Sequence, residues 1–286
     1  MALRAEVRQA TQRLREAGVQ PGLTVVLVGE DPASQVYVRN KDRAATDAGF
    51  AVHTVRLPAG TSQGDLEACV EDLNQDPSVH GILVQLPLPG DLDERAVVRR
   101  LLPSKDVDGL TPENVAALVL GGPGHRPCTP AGCVELLDRH DIALEGKRVT
   151  VVGRSMLVGK PFASLALARN ATVTLCHSRT PQAALIEHCQ QADVLVAAVG
   201  RARLIQGDWI RPGGTVLDVG INRGADGKLV GDVDFDAAVE RAGSITPVPG
   251  GIGPMTIAML LRNTLAAAAQ TKGMDVESLL RESSGS

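Results

Sequence analysis

The sequence predicts an α/β protein with two domains, each built on a parallel sheet that is covered by helices. Short apolar runs alternate with segments whose apolar residues recur at helical spacing, the pattern of strands joined by crossover helices. The chain has 286 residues, and a stretch rich in glycine and proline, 121–127, interrupts this pattern. We therefore expect a first domain over 1–125, joined by the C-terminal helix 253–286, and a second domain over 126–252.

Composition narrows the class of protein. Hydrophobic residues make up 44% and charged residues 22%, the balance of a soluble globular protein. A net charge of −4, with one Trp, one Tyr and three Phe, provides neither a basic surface nor stacking platforms, which argues against nucleic acid as a partner. The N-terminus lacks a hydrophobic signal core and the apolar runs are too short to cross a bilayer, so we expect a cytoplasmic protein without membrane contact.

The five cysteines give no sign of a metal centre. They form an odd set without C-x-x-C spacing, and the neighbouring histidines make no ligand pattern with them. We interpret them as reduced, structural thiols and expect no bound metal.

In the first half, an amphipathic helix over 3–17 precedes an alternating series of strands and helices. Asp31 followed by Pro32 is typical of a helix N-terminus, and Gly49 is placed to end that helix. The pattern predicts helices over 32–48 and 63–75. The predicted strands are Leu23–Gly29, Ala51–Leu57 and Gly81–Leu86.

The second half begins with a strand and a glycine turn, the order of a doubly wound, Rossmann-type nucleotide-binding sheet. A helix is expected from near Val158, the last helix over 253–269, and a mobile tail over 282–286. The predicted strands are Arg148–Val152, Thr172–Cys176, Val194–Val199, Thr215–Val219 and Ser244–Thr246.

A dinucleotide site is predicted where the first of these strands meets its helix. Residues 153–159 read Gly-Arg-Ser-Met-Leu-Val-Gly, and such a turn lets a pyrophosphate rest on a helix N-terminus. The spacing departs from the usual fingerprint, because Ser155 stands where a second glycine is expected and Gly159 comes one residue late. A purely structural turn is the alternative interpretation.

The end of the next strand favours NADP over NAD. Residues 176–180 read Cys-His-Ser-Arg-Thr, without the carboxylate that usually binds the ribose 2′-hydroxyl in NAD sites. Arg179, Ser178 and Arg154 are therefore candidates for binding a 2′-phosphate. The alternative is that Arg179 is a solvated surface charge.

Three polar residues of the helix over 32–48 share one face. Ser34, Tyr37 and Lys41 are three and four residues apart, so their side chains lean the same way. A lysine in a partly desolvated pocket has a lowered pKa and can transfer protons near neutral pH. The alternative is an exposed lysine beside a core tyrosine.

Two further polar features follow the third strand. Gln85 lies inside the apolar run 81–89, where a buried amide needs a hydrogen-bond partner. The turn Lys105–Gly109, which reads Lys-Asp-Val-Asp-Gly, places two carboxylates at the carboxyl end of the sheet, where open α/β sheets bind ligands. Such Asp-Gly turns are also often structural.

These residues resemble the bifunctional methylene-tetrahydrofolate dehydrogenase/methenyl-tetrahydrofolate cyclohydrolase family over nearly the whole chain. The motifs occur in the family's order and lie at 34–41, 85–89, 105–109, 127–132, 153–161, 219–223, 231–235 and 247–256. So many motifs in one order are far more specific than any single glycine fingerprint.

The resemblance implies two reactions in a cleft between the domains. A hydride passes from 5,10-methylene-tetrahydrofolate to NADP, and water then opens the resulting methenyl form to 10-formyl-tetrahydrofolate, a product tied to purine biosynthesis. The resemblance also implies a homodimer formed through the nucleotide-binding domain.

In the roles that the resemblance implies, Lys41 is central to hydrolysis, Gln85 hydrogen-bonds it, and Tyr37 packs against the folate's aromatic ring. Asp108 would bind the pterin. The other expected folate contacts are Ser34, Pro249, Gly250 and Gly251. The expected cofactor contacts are Gly153, Arg154, Ser155, Gly159, Ser178, Arg179, Ile221 and Thr256.

The chain departs from the family pattern in two respects. The usual initial segment with an Asp-Gly-Lys turn is not recognised, and the P-loop synthetase module of some relatives is missing, so we do not expect formate activation. Two rival interpretations are a related dehydrogenase for another small substrate, such as a shikimate-type or amino-acid enzyme, and a catalytically silent NADP-binding module. The bonds Leu86–Pro87 and Val248–Pro249 are candidates for the cis form.

Overall fold

The computed structural model describes residues 2–224 and 226–281, so the tail predicted to be mobile lies outside the described residues. The described chain forms two compact units. Unit 1 comprises residues 2–126 and 257–281, and unit 2 comprises residues 127–256. The chain therefore leaves unit 1, completes unit 2 and returns to unit 1.

Unit 1 is built on three parallel strands in the order β2-β1-β3. They are β1 (Gly22–Val28), β2 (Ala51–Leu57) and β3 (Gly81–Val84), and the helices of this part of the chain are α1 (Ala2–Glu16), α2 (Pro32–Asp47), α3 (Gln63–Gln75), α4 (Glu94–Arg100) and α5 (Pro112–Leu120). Every residue of β1 is buried, as expected for a central parallel strand covered on both faces.

Local sequence explains the bounds of α2. The Asp31 carboxylate accepts a hydrogen bond of 2.7 Å from the Ser34 N–H, and Pro32 occupies the first turn, which confirms the predicted N-cap. Gly49 follows the helix with a φ of +86°, a conformation that favours glycine. β3 ends at Val84, two residues before the predicted end at Leu86. The Leu86–Pro87 bond that follows is cis.

Unit 2 is a doubly wound sheet of five parallel strands in the order β10-β7-β6-β4-β5. Two apolar clusters cover its two faces, one around Phe162 and Leu217 and the other around Ile205 and Trp209. The elements are α6 (Cys128–Arg139), β4 (Arg148–Val152), α7 (Gly159–Leu167), β5 (Thr172–Cys176), α8 (Gln182–Gln191), β6 (Val194–Ala197), β7 (Thr215–Asp218), β8 (Asn222–Arg223), β9 (Leu229–Val230), α9 (Phe235–Val239) and β10 (Ser244–Ile245).

The structure corrects several predicted boundaries in unit 2. Strands β6, β7 and β10 end one or two residues before the predicted ends at Val199, Val219 and Thr246. The reason at β6 is that the Val199 N–H leaves the sheet to donate to the Asp232 carboxylate at 2.6 Å. The antiparallel pair β8-β9 and a short 3₁₀ turn at Gly207–Trp209 were not predicted.

Helix α10 (Ile252–Gln270) spans the boundary between the units, and α11 (Val276–Arg281) follows it. α10 is long and apolar enough to pass for a membrane span, but 67% of its apolar stretch is buried within the protein, which is typical of a core helix. In unit 1, the Arg13 Nη1 of α1 donates to the Leu279 carbonyl of α11 at 2.7 Å. The first and the last helices of the described chain therefore support each other.

The five cysteines are free thiols, and four of them are buried. Burial raises the pKa of Cys189 to about 12 and raises the pKa of Cys133 as well. Thiols with raised pKa values are weak nucleophiles. Over residues 2–224 and 226–281, no group of three or more His, Cys, Asp or Glu side chains is placed to hold a metal ion.

Candidate functional site

Helix α2 presents its polar residues in different degrees of exposure. Ser34 is buried, Lys41 is half-buried, and the Tyr37 side chain remains 42% exposed. The interpretation of Tyr37 as a core residue beside an exposed lysine is therefore wrong. An exposed aromatic ring next to a partly desolvated amine is an arrangement suited to a planar ligand.

Lys41 and Gln85 contact each other at the carboxyl end of the unit 1 sheet. The Lys41 Nζ donates to the Gln85 Oε1 at 3.0 Å, and Gln85 is only 8% exposed. The Gln85 Nε2 donates to the Leu86 carbonyl at 2.6 Å, which fixes the amide with its oxygen towards the amine. A neutral acceptor holds the amine in place without supplying the negative charge that would favour its protonated form.

The second lysine of the motif residues has a structural position. The Lys105 Nζ donates to three backbone carbonyls at the end of α3, those of Leu73, Asn74 and Asp76, at 3.1, 2.7 and 2.7 Å. A cation there neutralises the negative end of the helix dipole. Lys105 is thus a structural lysine.

The two carboxylates of the turn at 105–109 differ in burial and in their contacts. Asp106 is fully buried, and its Oδ2 accepts from the Thr111 N–H at 2.7 Å and the Asn114 Nδ2 at 2.9 Å. From α10, the Asn263 Nδ2 donates to the Val107 carbonyl at 2.9 Å. The turn is therefore anchored from within unit 1, and Asp108 is the carboxylate of the two that solvent reaches.

The turn between β4 and α7 has the close packing that a dinucleotide-binding turn requires. Gly153 has a φ of +129°, and a Cβ on it would overlap the Ala198 carbonyl oxygen. A Cβ on Gly159, the first residue of α7, would overlap the carbonyl of Gly153. This turn has no side chain at Gly153 or Gly159 and leads into the N-terminus of the nine-residue α7, an arrangement that suits a pyrophosphate.

Ser155 explains the unusual fingerprint. Its Oγ accepts a hydrogen bond of 3.1 Å from the Val158 N–H, just before α7 begins. The serine thus satisfies a backbone donor that a glycine would leave to solvent. Arg154 and Ser155 themselves are exposed.

Candidate ligands for a 2′-phosphate lie beyond the neighbouring strand. β5 pairs with β4, and the turn after β5 exposes Ser178 and Arg179. The Nδ1 of His177 accepts from the Arg179 N–H at 3.2 Å, which shapes this turn. Arg154 and Arg179 follow adjacent strands at the same edge of the sheet, and no described carboxylate lies within residues 176–180. The residues present therefore fit NADP.

Unit 2 contains a pair of buried carboxylates that the sequence did not predict. Residues 231–235 were identified there only as part of a family motif. Asp218 and Asp232 are 2% and 0% exposed. Burial raises the pKa of Asp218 to about 6, three backbone N–H groups lower that pKa, and the charge of Asp232 raises it further. The only sequence signal was the glycines beside them, Gly220 and Gly231.

The remaining predicted contacts belong to unit 2. Ile221 follows β7 and is 47% exposed. Pro249 and Gly250 are exposed, the Val248–Pro249 bond is cis, and Gly250 has a φ of +105°. The Thr256 Oγ1 lies 3.0 Å from the Thr129 Oγ1 within the same unit. Lys41 and Gln85 are brought together, whereas the meeting of these unit 2 residues with those of unit 1 stays a prediction.

Comparisons with known proteins agree with both units. Residues 1–108 match the family model "Tetrahydrofolate dehydrogenase/cyclohydrolase, catalytic domain", and residues 127–272 match its "NAD(P)-binding domain". The chain is 57% identical to the bifunctional protein FolD of Moorella thermoacetica, covering 93% of this chain and 94% of that protein.

Two solved structures are similar over nearly the whole length. The bifunctional FolD enzyme of Campylobacter jejuni is 44% identical with a TM-score of 0.92, covering 94% of this chain and 95% of that one. The Trypanosoma brucei methylenetetrahydrofolate dehydrogenase-cyclohydrolase, solved with NADP cofactor and inhibitor, is 40% identical with a TM-score of 0.90, covering 95% of each chain.

Proposed function

Because this chain belongs to the tetrahydrofolate dehydrogenase/cyclohydrolase family, we propose a division of its residues between the two reactions of that family. The protein is a bifunctional enzyme. It oxidises 5,10-methylene-tetrahydrofolate to the 5,10-methenyl form with NADP, and it hydrolyses the methenyl form to 10-formyl-tetrahydrofolate. The rival interpretations, a dehydrogenase for another substrate and a silent binding module, are set aside.

Lys41 is the proposed catalytic residue of hydrolysis, and the observation that carries this role is its hydrogen bond to Gln85. In this step, the oxygen of water bonds to the methenyl carbon and gives up a proton. The bond from that carbon to the N5 nitrogen breaks. Of the two protons of the water, one ends on N5 and the other is released to solvent as the formyl C=O forms. A neutral amine can accept the first proton and pass it to N5, which an amine that is already an ammonium ion cannot do.

The other folate roles follow from position. Tyr37 offers its exposed ring for stacking, Ser34 supports that face of α2, and Asp108 accepts hydrogen bonds from the pterin N–H groups. Pro249, Gly250 and Gly251 are proposed to bring backbone close to the folate. A neutral Gln85 beside the amine also suits the first reaction, in which the bridge carbon becomes cationic.

The cofactor residues are proposed to act by binding and orientation. NADP, when bound, accepts the hydride that leaves the bridge carbon. Gly153, Ser155 and Gly159 would hold the pyrophosphate, and Arg154, Ser178 and Arg179 the 2′-phosphate. Ile221 and Thr256 complete the proposed set.

The test of the hydrolytic role is Lys41→Met. We expect hydrolysis of methenyl-tetrahydrofolate, followed by its absorbance, to be abolished, because methionine can neither accept nor donate a proton. Arg43→Met, at a side chain on the same helix that is 86% exposed, is the matched control and should hydrolyse at the wild-type rate. A Lys41→Met variant with normal hydrolysis would refute the role, while a wild-type protein that forms no NADPH from methylene-tetrahydrofolate would refute the function.

We also propose a homodimer formed through the NADP-binding unit. β5 is an edge strand of the five-stranded sheet and exposes Leu175, and α7, which packs against β5, exposes Leu167. An open strand edge with apolar side chains favours pairing with a second copy. Light scattering on the purified protein should give twice the mass of the chain, and Leu175→Lys should shift it to the monomer. A monomeric wild-type protein would contradict the proposal.

In the cell, we propose a cytoplasmic enzyme that supplies formyl groups for purine biosynthesis. Its proposed product, 10-formyl-tetrahydrofolate, carries the one-carbon unit at the oxidation level of a formyl group. The gene should restore purine-independent growth to a bacterial strain that lacks this activity. Failure of the active enzyme to do so would contradict the role.

A further inference from the structure

The carboxylate of Asp232 gathers hydrogen-bond donors from two separate loops of unit 2. Its Oδ2 accepts from the N–H groups of Val199 and Gly200 at 2.6 and 3.0 Å. Its Oδ1 accepts from the Arg201 N–H at 2.8 Å and the Asn222 Nδ2 at 2.9 Å. Three of these donors belong to the loop that follows β6, and the fourth begins β8. One fully buried side chain thus fixes both segments.

Asp218, at the end of β7, fastens the segment that carries Asp232. Its Oδ1 accepts from the N–H groups of Gly220 and Asp232 at 3.0 and 2.9 Å, and its Oδ2 accepts from the Val233 N–H at 2.9 Å. A Cβ on Gly231 would overlap the Asp218 carboxylate, and one on Gly220 would overlap the Asp232 carboxylate. The two carboxylates and the two glycines therefore form one interlocked cluster, the Asp218–Asp232 cluster.

The Asp218–Asp232 cluster holds the two loops that carry Ala198 and Ile221, next to the proposed NADP site. Ala198, the residue before the three bound N–H groups, places its carbonyl oxygen where a Cβ of Gly153 would be. Ile221 lies between Gly220 and Asn222, each of which hydrogen-bonds one of the carboxylates. Both loops follow the carboxyl ends of central strands, the edge at which doubly wound sheets bind nucleotides.

We propose that Asp232 is a positioning residue for NADP. By holding the loops at 198–201 and 219–222, it sets the shape of the NADP-binding site without touching the cofactor. The proposal rests on the function assigned above. It predicts that perturbing Asp232 affects the NADP-dependent reaction, whereas methenyl hydrolysis, which consumes no NADP, is spared.

The test is Asp232→Asn in the full-length protein. Whichever way the amide is turned, its NH₂ group replaces an oxygen that accepts from two N–H donors, so two of the four hydrogen bonds are lost. Because hydrogen bonds to charged groups are the stronger ones, we expect the KM for NADP to rise by about tenfold or more. The rate of methenyl hydrolysis should stay within about twofold of wild type. Asp236→Asn, at an exposed side chain in the first turn of α9, is the matched control.

The outcomes separate a positioning role from a merely structural one. A KM for NADP within twofold of wild type overturns the proposal, and so does an equal loss of both activities in a folded protein. If Asp232→Asn does not fold, Asn222→Ala is tested instead, because it removes one of the four donors to the carboxylate. The proposal then requires a smaller rise in the KM for NADP and an unchanged rate of methenyl hydrolysis, and an unchanged KM would overturn it. A wild-type protein without NADP-dependent activity would instead count against the assigned function.

Discussion

Replacing Asp218 by Asn tests the electrostatics of the buried pair. The pKa of Asp218 is raised from 3.8 to about 6 by burial, against the lowering effect of three backbone N–H groups. Because this pKa is higher in the folded than in the unfolded chain, the contribution of Asp218 to the free energy of unfolding is fully present below pH 3.8 and is lost as the pH rises through about 6. The amide that replaces this carboxyl group in the variant does not titrate, so the comparison isolates this one group.

The size of the effect follows from the two pKa values. A rise from 3.8 to about 6 corresponds to about 3 kcal/mol in total. About 2 kcal/mol of this falls between pH 4.5 and pH 7.5, the rest being lost at lower pH. Over that interval, the free energy of unfolding of the wild-type protein should fall by about 2 kcal/mol relative to Asp218→Asn.

Fluorescence of Trp209 makes the measurement specific to unit 2. It is the single tryptophan of the chain and is buried in a core cluster of that unit. Urea unfolding of wild type, Asp218→Asn and the control Asp236→Asn would be followed by this signal at both pH values. The reasoning would be refuted if the difference in free energy of unfolding between wild type and Asp218→Asn were the same at both pH values, within about 0.5 kcal/mol.

Three further substitutions test the proposed site. Gln85→Leu removes the acceptor of Lys41, so methenyl hydrolysis should fall by about 10- to 100-fold, and an unchanged absorbance decay would contradict its role. Arg179→Ala should raise the KM for NADP by about tenfold with little change for NAD; an equal effect on both would show that it binds no 2′-phosphate. Gly153→Ala forces a Cβ into the Ala198 carbonyl, so NADP-dependent activity should be lost, and a normal KM for NADP would contradict the close packing.

Where side chains and backbone agree locally, the elements could be predicted from the sequence. The ends of β2, β4 and β5 are as predicted, because apolar runs bounded by turn residues define them. The predicted end of β3 at Leu86 was two residues too late. The contact of Gln85 with Lys41 joins residues 44 positions apart, which no local pattern reveals. β8 and β9 have two residues each, too few for any periodicity to show.

The candidate site, like the strands, could be predicted only where local sequence determines it. Spacing predicted that Lys41 shares a face of α2 with Ser34 and Tyr37. What distinguishes Lys41 from Lys105 is their partners, the Gln85 amide for the first and three backbone carbonyls at the end of α3 for the second, and these contacts depend on the whole fold. The turn alone offered Asp106 and Asp108 together, with Asp108 chosen by the family resemblance, and the contacts with Thr111 and Asn114 now identify Asp106 as structural. Asp232 was hidden for this reason too, since its donors lie up to 33 residues earlier in the chain.

The discontinuity of unit 1 affects the order of events during synthesis. Residues 127–256, which form a complete unit, emerge from the ribosome before residues 257–281, which unit 1 still lacks. The bond from Arg13 to the Leu279 carbonyl joins positions 266 residues apart. Domains generally fold as units while the chain grows. We therefore expect the nucleotide-binding unit to fold first on the nascent chain, and the unit that contains Lys41 to be completed only after the final helices are translated.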